Sequence, residues 1–442
     1  RPLQVLAAAV AAVLVVACVL FWPLVRGALG GEERFLEWDV PEQYWPDLVY
    51  LCDALHDGAL PSWNPYDRAG YPWYADPQAG AYHPLNWGIC LLAGSAPALG
   101  WAEARVVLGF VLAGLFGLLW LRRLKLPWGP AVLGAVVIQT APFMRHNWEL
   151  NLTLAFAWLP LMLWAAERAV CERRYADGAV LGLAVALCAW TGSPPAFWLA
   201  ALFCGFYTLV RLVGTCRGQD AWTWLAAVRT LFAAAVFSLG LVAAVVWPGL
   251  QLASHSVQAG RSFSDIAAGG LAPGQLSALL WPQAGNHLYP GLFVLLLSIL
   301  CLLRPLRRPA VQMLPGRWFF LVAAVLAVLL ALGDHTPVFG LAYDLVAGFS
   351  LFRLPHRYEA WLGPALGALA AGGLAWLGTP VVAARLRGWR PTKYLAAAAA
   401  AVGGILVVAG VGWGPAGVCL AAGVAGGAIL VPRLGVHHGL VG

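Results

Sequence analysis

From Leu3 to Val25 the chain carries no charged residue, and comparable apolar stretches recur along most of its length. A helix that crosses a bilayer needs about 20 apolar residues, and in lipid its backbone groups must bond within the segment. This pattern leaves few alternatives to an all-α, polytopic transmembrane protein. Composition agrees: 61% of residues are hydrophobic and 11% are charged, against about 25% charged in soluble domains. Candidate spans are 3–25, 99–121, 127–143, 153–170, 176–193, 195–213, 224–247, 289–303, 318–333, 358–378, 394–412 and 413–431, about twelve in all. The stretch 84–94 is too short to span and reads as an interfacial or re-entrant helix. The first run has no A-x-A cleavage site and is expected to stay as an anchor. Residues 1–442 read as a single transmembrane domain.

A net charge of +7 could suggest a nucleic-acid partner. The basic residues are instead spread at the ends of apolar runs, where loops meet membrane lipid, so no nucleic acid is expected. The nine cysteines show no C-x-x-C spacing and read as small packed hydrophobes.

With the N-terminus inside, most arginines fall on the cytoplasmic side, among them Arg122, Arg123, Arg168, Arg173, Arg174, Arg211 and Arg217. Arg26, Arg34, Arg68, Arg105, Arg145, Arg261, Arg353 and Arg357 fall outside. The same topology puts His56, His83, His146, His255, His287, His335 and His356 outside, together with most carboxylates. The spans read as nearly free of ionisable groups, whereas a transporter places some near mid-membrane. Chemistry gathered on one face fits an enzyme better than a pump.

The acidic loop 26–98 holds most of that chemistry. Leu48, Leu51 and Leu55 recur at helical spacing, which predicts an amphipathic helix over 42–57 lying on the membrane surface, with Gly58 as its C-cap. Asp39 precedes this helix and reads either as its cap or as a functional carboxylate. Residues 58–86 are rich in proline and aromatics and lack periodicity. An irregular loop of this kind is functional more often than not. Its rings and polar groups (Trp63, Asn64, Tyr66, Asp76, Gln78, Tyr82) suit a sugar, or equally an interfacial aromatic belt.

The strings WNPY (63–66), ADPQ (75–78) and YHPLN (82–86), after Asp39 and Gln43, resemble the bacterial YfhO-like membrane protein family of the GT-C superfamily of polytopic glycosyltransferases. HNWELN (146–151), TGSPPAF (191–197), LYPG (288–291), LGDHTPVFG (332–340) and FRLPHR (352–357) extend the resemblance to about residue 360. It implies a GT-C-like fold with a long first extracytoplasmic loop, in a bacterial inner membrane. It also implies transfer of a sugar from a polyprenyl-phosphate donor to a glycan, lipid or protein acceptor, usually with inversion. By that resemblance Asp39 is the catalytic carboxylate, as general base or metal ligand, with Glu37 and Glu42 as alternatives. His83, Asn86, His146, Asn147 and Tyr289 join the substrate-binding candidates through the shared strings.

Chemistry adds the rest. A base must take the acceptor proton, and a leaving lipid phosphate needs cations. The candidates are Arg353, His356 and Arg357, with Arg261. A divalent cation, Mg or Mn, is compatible with Asp39 and Asp76 helped by His83 or His146. A flippase for lipid-linked saccharides and a non-catalytic GT-C-like accessory protein are the rival readings. Oligomeric state is not legible.

Overall fold

The computed structural model describes residues 2–20, 22, 25, 39–67, 69–147, 151–256, 262–281, 288–303 and 314–379. The candidate residues Glu37 and Arg261 and the expected spans 394–412 and 413–431 lie outside these. The described residues are helical, joined by turns, and their one β-bridge pairs Asn64 with Tyr71. Among the described residues five helices are long and apolar enough to cross a membrane, as in a multi-pass membrane protein. The expected twelve spans are not reproduced as twelve full crossings. Shorter apolar helices stand at several of the other expected positions.

The first apolar run forms α1 (Pro2–Leu20). In the first loop lie α2 (Trp45–His56) and α3 (Pro84–Ala93). The bundle follows with α4 (Leu99–Arg123), α5 (Trp128–Gln139), the short α6 (Pro142–His146), α7 (Asn151–Glu172), α8 (Tyr175–Ala189) and α9 (Pro194–Cys216). Then come α10 (Ala221–Ser254), α11 (Phe263–Ala267), α12 (Leu292–Leu303), α13 (Arg317–Ala331), α14 (Pro337–Leu345) and α15 (Leu362–Leu377). Proline opens α3, α6, α9 and α14, where its missing N–H costs nothing.

Helix α4 is central: it packs on α1, α5 and α7, and α7 packs in turn on α8 and α9. Helix α15 closes the other side against α5, α12 and α13. Lipid gives no hydrophobic drive between helices, so close backbone approach does the packing. At Gly373 a Cβ would meet the Leu297 carbonyl oxygen at 2.0 Å, and only glycine lets α15 lie so close to α12.

The spans hold more charge than the sequence suggested. Glu103 and Arg105 are buried in the first two turns of α4, and Glu167 is buried in the last two turns of α7. Each charge sits near a helix end and meets protein, not lipid. Glu167 holds the Arg211 guanidinium through both its oxygens and accepts the Tyr207 hydroxyl at 2.5 Å, while Tyr207 accepts Trp120 Nε1–H at 3.2 Å. This network knits α4, α7 and α9 at the end of the bundle opposite the first loop.

The first loop has its own small core of Leu48, Leu51, Tyr71, Trp73, Ala79 and Ile89 around a disulfide between Cys52 and Cys90. Reading all cysteines as packed hydrophobes is corrected here, since these two lie in the loop and not in the bundle. A cluster so small buries too little to hold a loop by itself. The bond joins positions 38 residues apart, and loop-closure entropy for that length gives about 4 kcal/mol. Cys52→Ser should therefore lower the unfolding midpoint in detergent to that of the dithiothreitol-treated wild type. Equal midpoints for variant and untreated wild type would contradict this.

Candidate functional site

The chain enters the site through a π-turn, Val40–Tyr44, with Asp39 at its N-terminus. Asp39 is exposed and its side chain makes no capping bond, so its carboxylate is not the helix cap that its position allows. Two turns later Asp47 is buried and accepts Trp73 Nε1–H at 2.7 Å, which anchors α2 to the aromatic segment.

That segment folds in two halves. Trp73 is fully buried and Tyr71 nearly so, and both serve the loop core. Trp63 and Tyr66 stay exposed beside Tyr50, whose hydroxyl donates to the Trp63 carbonyl at 2.7 Å. Tyr82 lies near Tyr74. Several polar residues expected at a ligand make local backbone bonds. Asn64 Oδ1 accepts the Tyr66 amide at 2.9 Å, and Asp76 Oδ1 accepts the Gln78 amide at 2.9 Å. Asn147 donates to the Phe143 carbonyl at 2.9 Å. These are local turn and cap bonds of the kind short polar side chains make.

The loop docks on the bundle through Arg105, which the sequence reading left in an outer segment. Arg105 is 7% exposed in α4. Its Nη1 donates to Asn86 Oδ1 at 3.1 Å and its Nη2 to Asn151 Oδ1 at 2.9 Å. Asn86 in turn donates to the Gly80 carbonyl at 2.9 Å, and Asn151 to the Gln78 carbonyl at 3.4 Å. One guanidinium thus fastens α3 and the 76–86 turns to α4 and α7. Glycine is required where the backbones meet: at Gly192 (φ +92°) a Cβ would lie 2.8 Å from the Gln78 carbonyl oxygen.

Tyr44 marks the centre of the polar region. Burial pushes its hydroxyl up to about 12; the charge of Asp39 adds to this, while Arg105, Arg357 and a hydrogen bond with Gln78 pull the other way. Asp39, Gln78, Arg105 and Arg357 therefore surround one phenol. The charges of Arg353 and Asp39 also act on Arg357. Both arginines belong to the FRLPHR string, whose turn Pro355–Trp361 packs against α6, α9 and α13. His356 Nδ1–H donates to the Gly269 carbonyl at 2.9 Å, and His146 lies within charge range of His356. Tyr289 stands apart, with Arg145, in a narrow groove between α5, α12 and α15; its hydroxyl accepts the Leu292 amide.

Gln43 Nε2, His83 Nε2 and Arg357 Nε are buried without a hydrogen-bond partner. His83 is 1% exposed, and its Nδ1 accepts the Leu85 amide at 3.2 Å as the cap of α3. Since an amide N–H only donates, Nδ1 is the bare nitrogen and Nε2 carries the proton. Burial, then the nearby Arg105 charge, holds this imidazole down to about 3, so the ring is neutral near pH 7. Buried donors without acceptors are costly.

No family model matches the chain, and no curated protein matches it. Among solved structures it is similar to the apo oligosaccharyltransferase of Archaeoglobus fulgidus, at 13% identity and TM-score 0.41 over 95% of this chain and 56% of that one. It is also similar to the archaeal oligosaccharyltransferase AglB from Archaeoglobus fulgidus in complex with an inhibitory peptide and a dolichol-phosphate. That match has 15% identity and TM-score 0.44, over 94% of this chain and 56% of that one. The chain thus spans a little over half the length of these proteins. Similarity at this level assigns neither a family nor a site.

The neutral His83 yields a pH prediction. Its folded pKa lies below the unfolded value of 6.5, so protonation favours the unfolded chain. Stability is unaffected above pH 6.5 and falls, as pH drops from 6.5 towards 3, by roughly 1.4 kcal/mol per unit from this group. His83→Asn keeps a side chain able to cap α3 and should flatten that slope in melting curves recorded between pH 7 and 4. An unchanged slope would show that His83 is not its source.

Proposed function

We propose that this protein is a membrane glycosyltransferase. It takes a sugar from a polyprenyl-phosphate-linked donor and passes it to an acceptor on the extracytoplasmic face. The observation that carries this reading is the pairing around Tyr44: one exposed, uncapped carboxylate at Asp39, with the charges of Arg105 and Arg357 acting on the same phenol and the buried Arg357 Nε lacking an acceptor. Glycosyl transfer needs these two elements. The acceptor group gives its proton to the Asp39 carboxylate while its lone pair forms a bond to the anomeric carbon. The bond from that carbon to the phosphate oxygen breaks, and its electron pair leaves on the lipid phosphate. Negative charge grows on that phosphate, and Arg357, with the more exposed Arg353, supplies the opposing cations.

Three further observations support the reading. The resemblance of the first-loop strings to YfhO-like proteins points to this chemistry. The Cys52–Cys90 disulfide suits an oxidising compartment, which favours the outer side for the first loop. The groove beside Arg145 and Tyr289 is otherwise lined by apolar side chains such as Val137, Val294, Leu362 and Leu366, a surface suited to a prenyl tail. Trp63 and Tyr66, exposed on the loop, suit the ring faces of a saccharide acceptor.

Asp39→Asn should abolish sugar transfer from a polyprenyl-phosphate donor while the melting point in detergent stays at the wild-type value; full transfer by this variant would sink the assignment. Arg357→Lys keeps the charge but loses the guanidinium fork. Its apparent donor KM should rise about tenfold, which corresponds to roughly 1.4 kcal/mol, with acceptor KM unchanged. A rise confined to the acceptor would place Arg357 on the wrong substrate.

A further inference from the structure

Between the two arginines of the FRLPHR string the backbone is strained. Leu354 stands in the left-handed region, at φ +70° and ψ +73°. Leucine rarely enters that region, because its Cβ crowds the following carbonyl oxygen. The next residue is Pro355, and a residue before proline is pushed towards extended backbone.

The surroundings impose the conformation. Gly269 (φ +81°) leaves open the space that the Leu354 side chain enters; a Cβ there would lie 2.9 Å from Leu354 Cδ2. Gly333 (φ +58°) makes room for the proline in the same way, since its Cβ would lie 3.1 Å from Pro355 Cγ. The segments that carry these two glycines are tied together where the Leu271 amide donates to the Ala331 carbonyl at 2.8 Å. On either side of Leu354 an aromatic pair fixes the chain: Phe352 lies 6.0 Å from Trp198 of α9, and Tyr358 stacks on Phe349 at 5.3 Å. A strained residue persists only where its neighbours over-determine it, and such residues gather at ligand-binding turns.

The turn closes with the Arg357 amide donating to the Leu354 carbonyl at 3.1 Å. It brings the charges of Arg353 and Arg357 into range of each other, and Arg357 into range of Tyr44 and Asp39. With both flanks anchored, the backbone angle at Leu354 decides the direction in which Arg357 leaves the turn.

We propose that Leu354 is a positioning residue: its left-handed backbone, and not its apolar side chain, sets the Arg357 guanidinium for the phosphate of a lipid-linked donor. The inference rests on the glycosyl-transfer reading for the identity of that ligand; the setting of Arg357 by the turn does not.

A positioning role and a packing role rank variants in opposite order. Isoleucine keeps the volume and apolar character of leucine, but its β-branch excludes left-handed backbone. Asparagine loses the apolar contact with Gly269, yet it tolerates the left-handed region. The full chain in detergent is treated with phenylglyoxal and the modification of each arginine is followed by mass spectrometry; separately it is titrated with farnesyl phosphate by calorimetry. In the wild type the exposed Arg353 should react first, and Arg357, whose Nε is buried, should be protected. Leu354→Asn should keep that protection and hold the farnesyl phosphate Kd within about twofold of wild type. Leu354→Ile should open Arg357 to the reagent and raise that Kd about tenfold. The reverse ranking would overturn the proposal, and so would two variants that behave alike. Should Leu354→Ile fail to fold, Leu354→Gly replaces it, since glycine takes the same backbone with no side chain. Protection of Arg357 and a Kd near the wild-type value would then support the proposal, and their loss would overturn it. A wild type that binds no farnesyl phosphate would count against the donor reading, while the reactivity of Arg357 would still decide the role of the turn.

Discussion

Everything at the loop end of this molecule depends on one buried guanidinium. Arg105 sits inside the bundle, nearly shielded from water. An arginine so placed is costly unless its donors are occupied. Its two occupants come from different parts of the chain: Asn86 from the first loop and Asn151 from the start of α7. The arginine can be satisfied only when the loop is seated, and the loop is seated only when the arginine holds it. Burial of Arg105 and seating of the loop are thus coupled.

The geometry of this clasp explains the irregularity of residues 58–86. A helix would have to keep its amide oxygens for itself. Turns instead release the carbonyls of Gln78 and Gly80 to accept Asn151 and Asn86. Asp76 and His83 cap the short turns and helix that result, which frees the backbone to be bent this way. The prolines and glycines that make the segment look structureless are what allow it to be rigid. The disulfide does from the far side what Arg105 does from the bundle: it ties α2 to α3, so Asp39 and Asn86 ride on one body.

How much of this was legible in the sequence depended on the range of the interaction. Apolar runs report their environment residue by residue, so the helical, membrane-spanning class was visible at once. Asp39 was visible as a carboxylate before a helix, although local pattern could not separate a cap from a free group; the absence of a capping bond does. Asp76, Asn64 and Asn147 looked like ligands by residue type, and each also braces a local turn, because a short polar side chain bonds its neighbours first. Tyr44, Arg105 and the Cys52–Cys90 pair escaped notice because each acquires meaning from a partner tens of residues away. One signal was available: Cys52 and Cys90 are two cysteines outside the spans, in a loop assigned to the oxidising side.

Two ends of the bundle use the same residue types to opposite purpose. At the end away from the first loop, Glu167, Arg211, Tyr207 and Trp120 form a network in which charge meets charge and each of the donors that enter it finds an acceptor. Such a network locks three helices together and leaves nothing over for a ligand. At the loop end, Gln43, His83 and Arg357 keep donors without acceptors, and the Asp39 carboxylate faces solvent while Asp47 and Asp76 are buried. Local departures from satisfied packing concentrate where function requires them. The loop end thus brings an exposed carboxylate within charge range of two guanidinium groups, the combination on which the proposed transfer is argued.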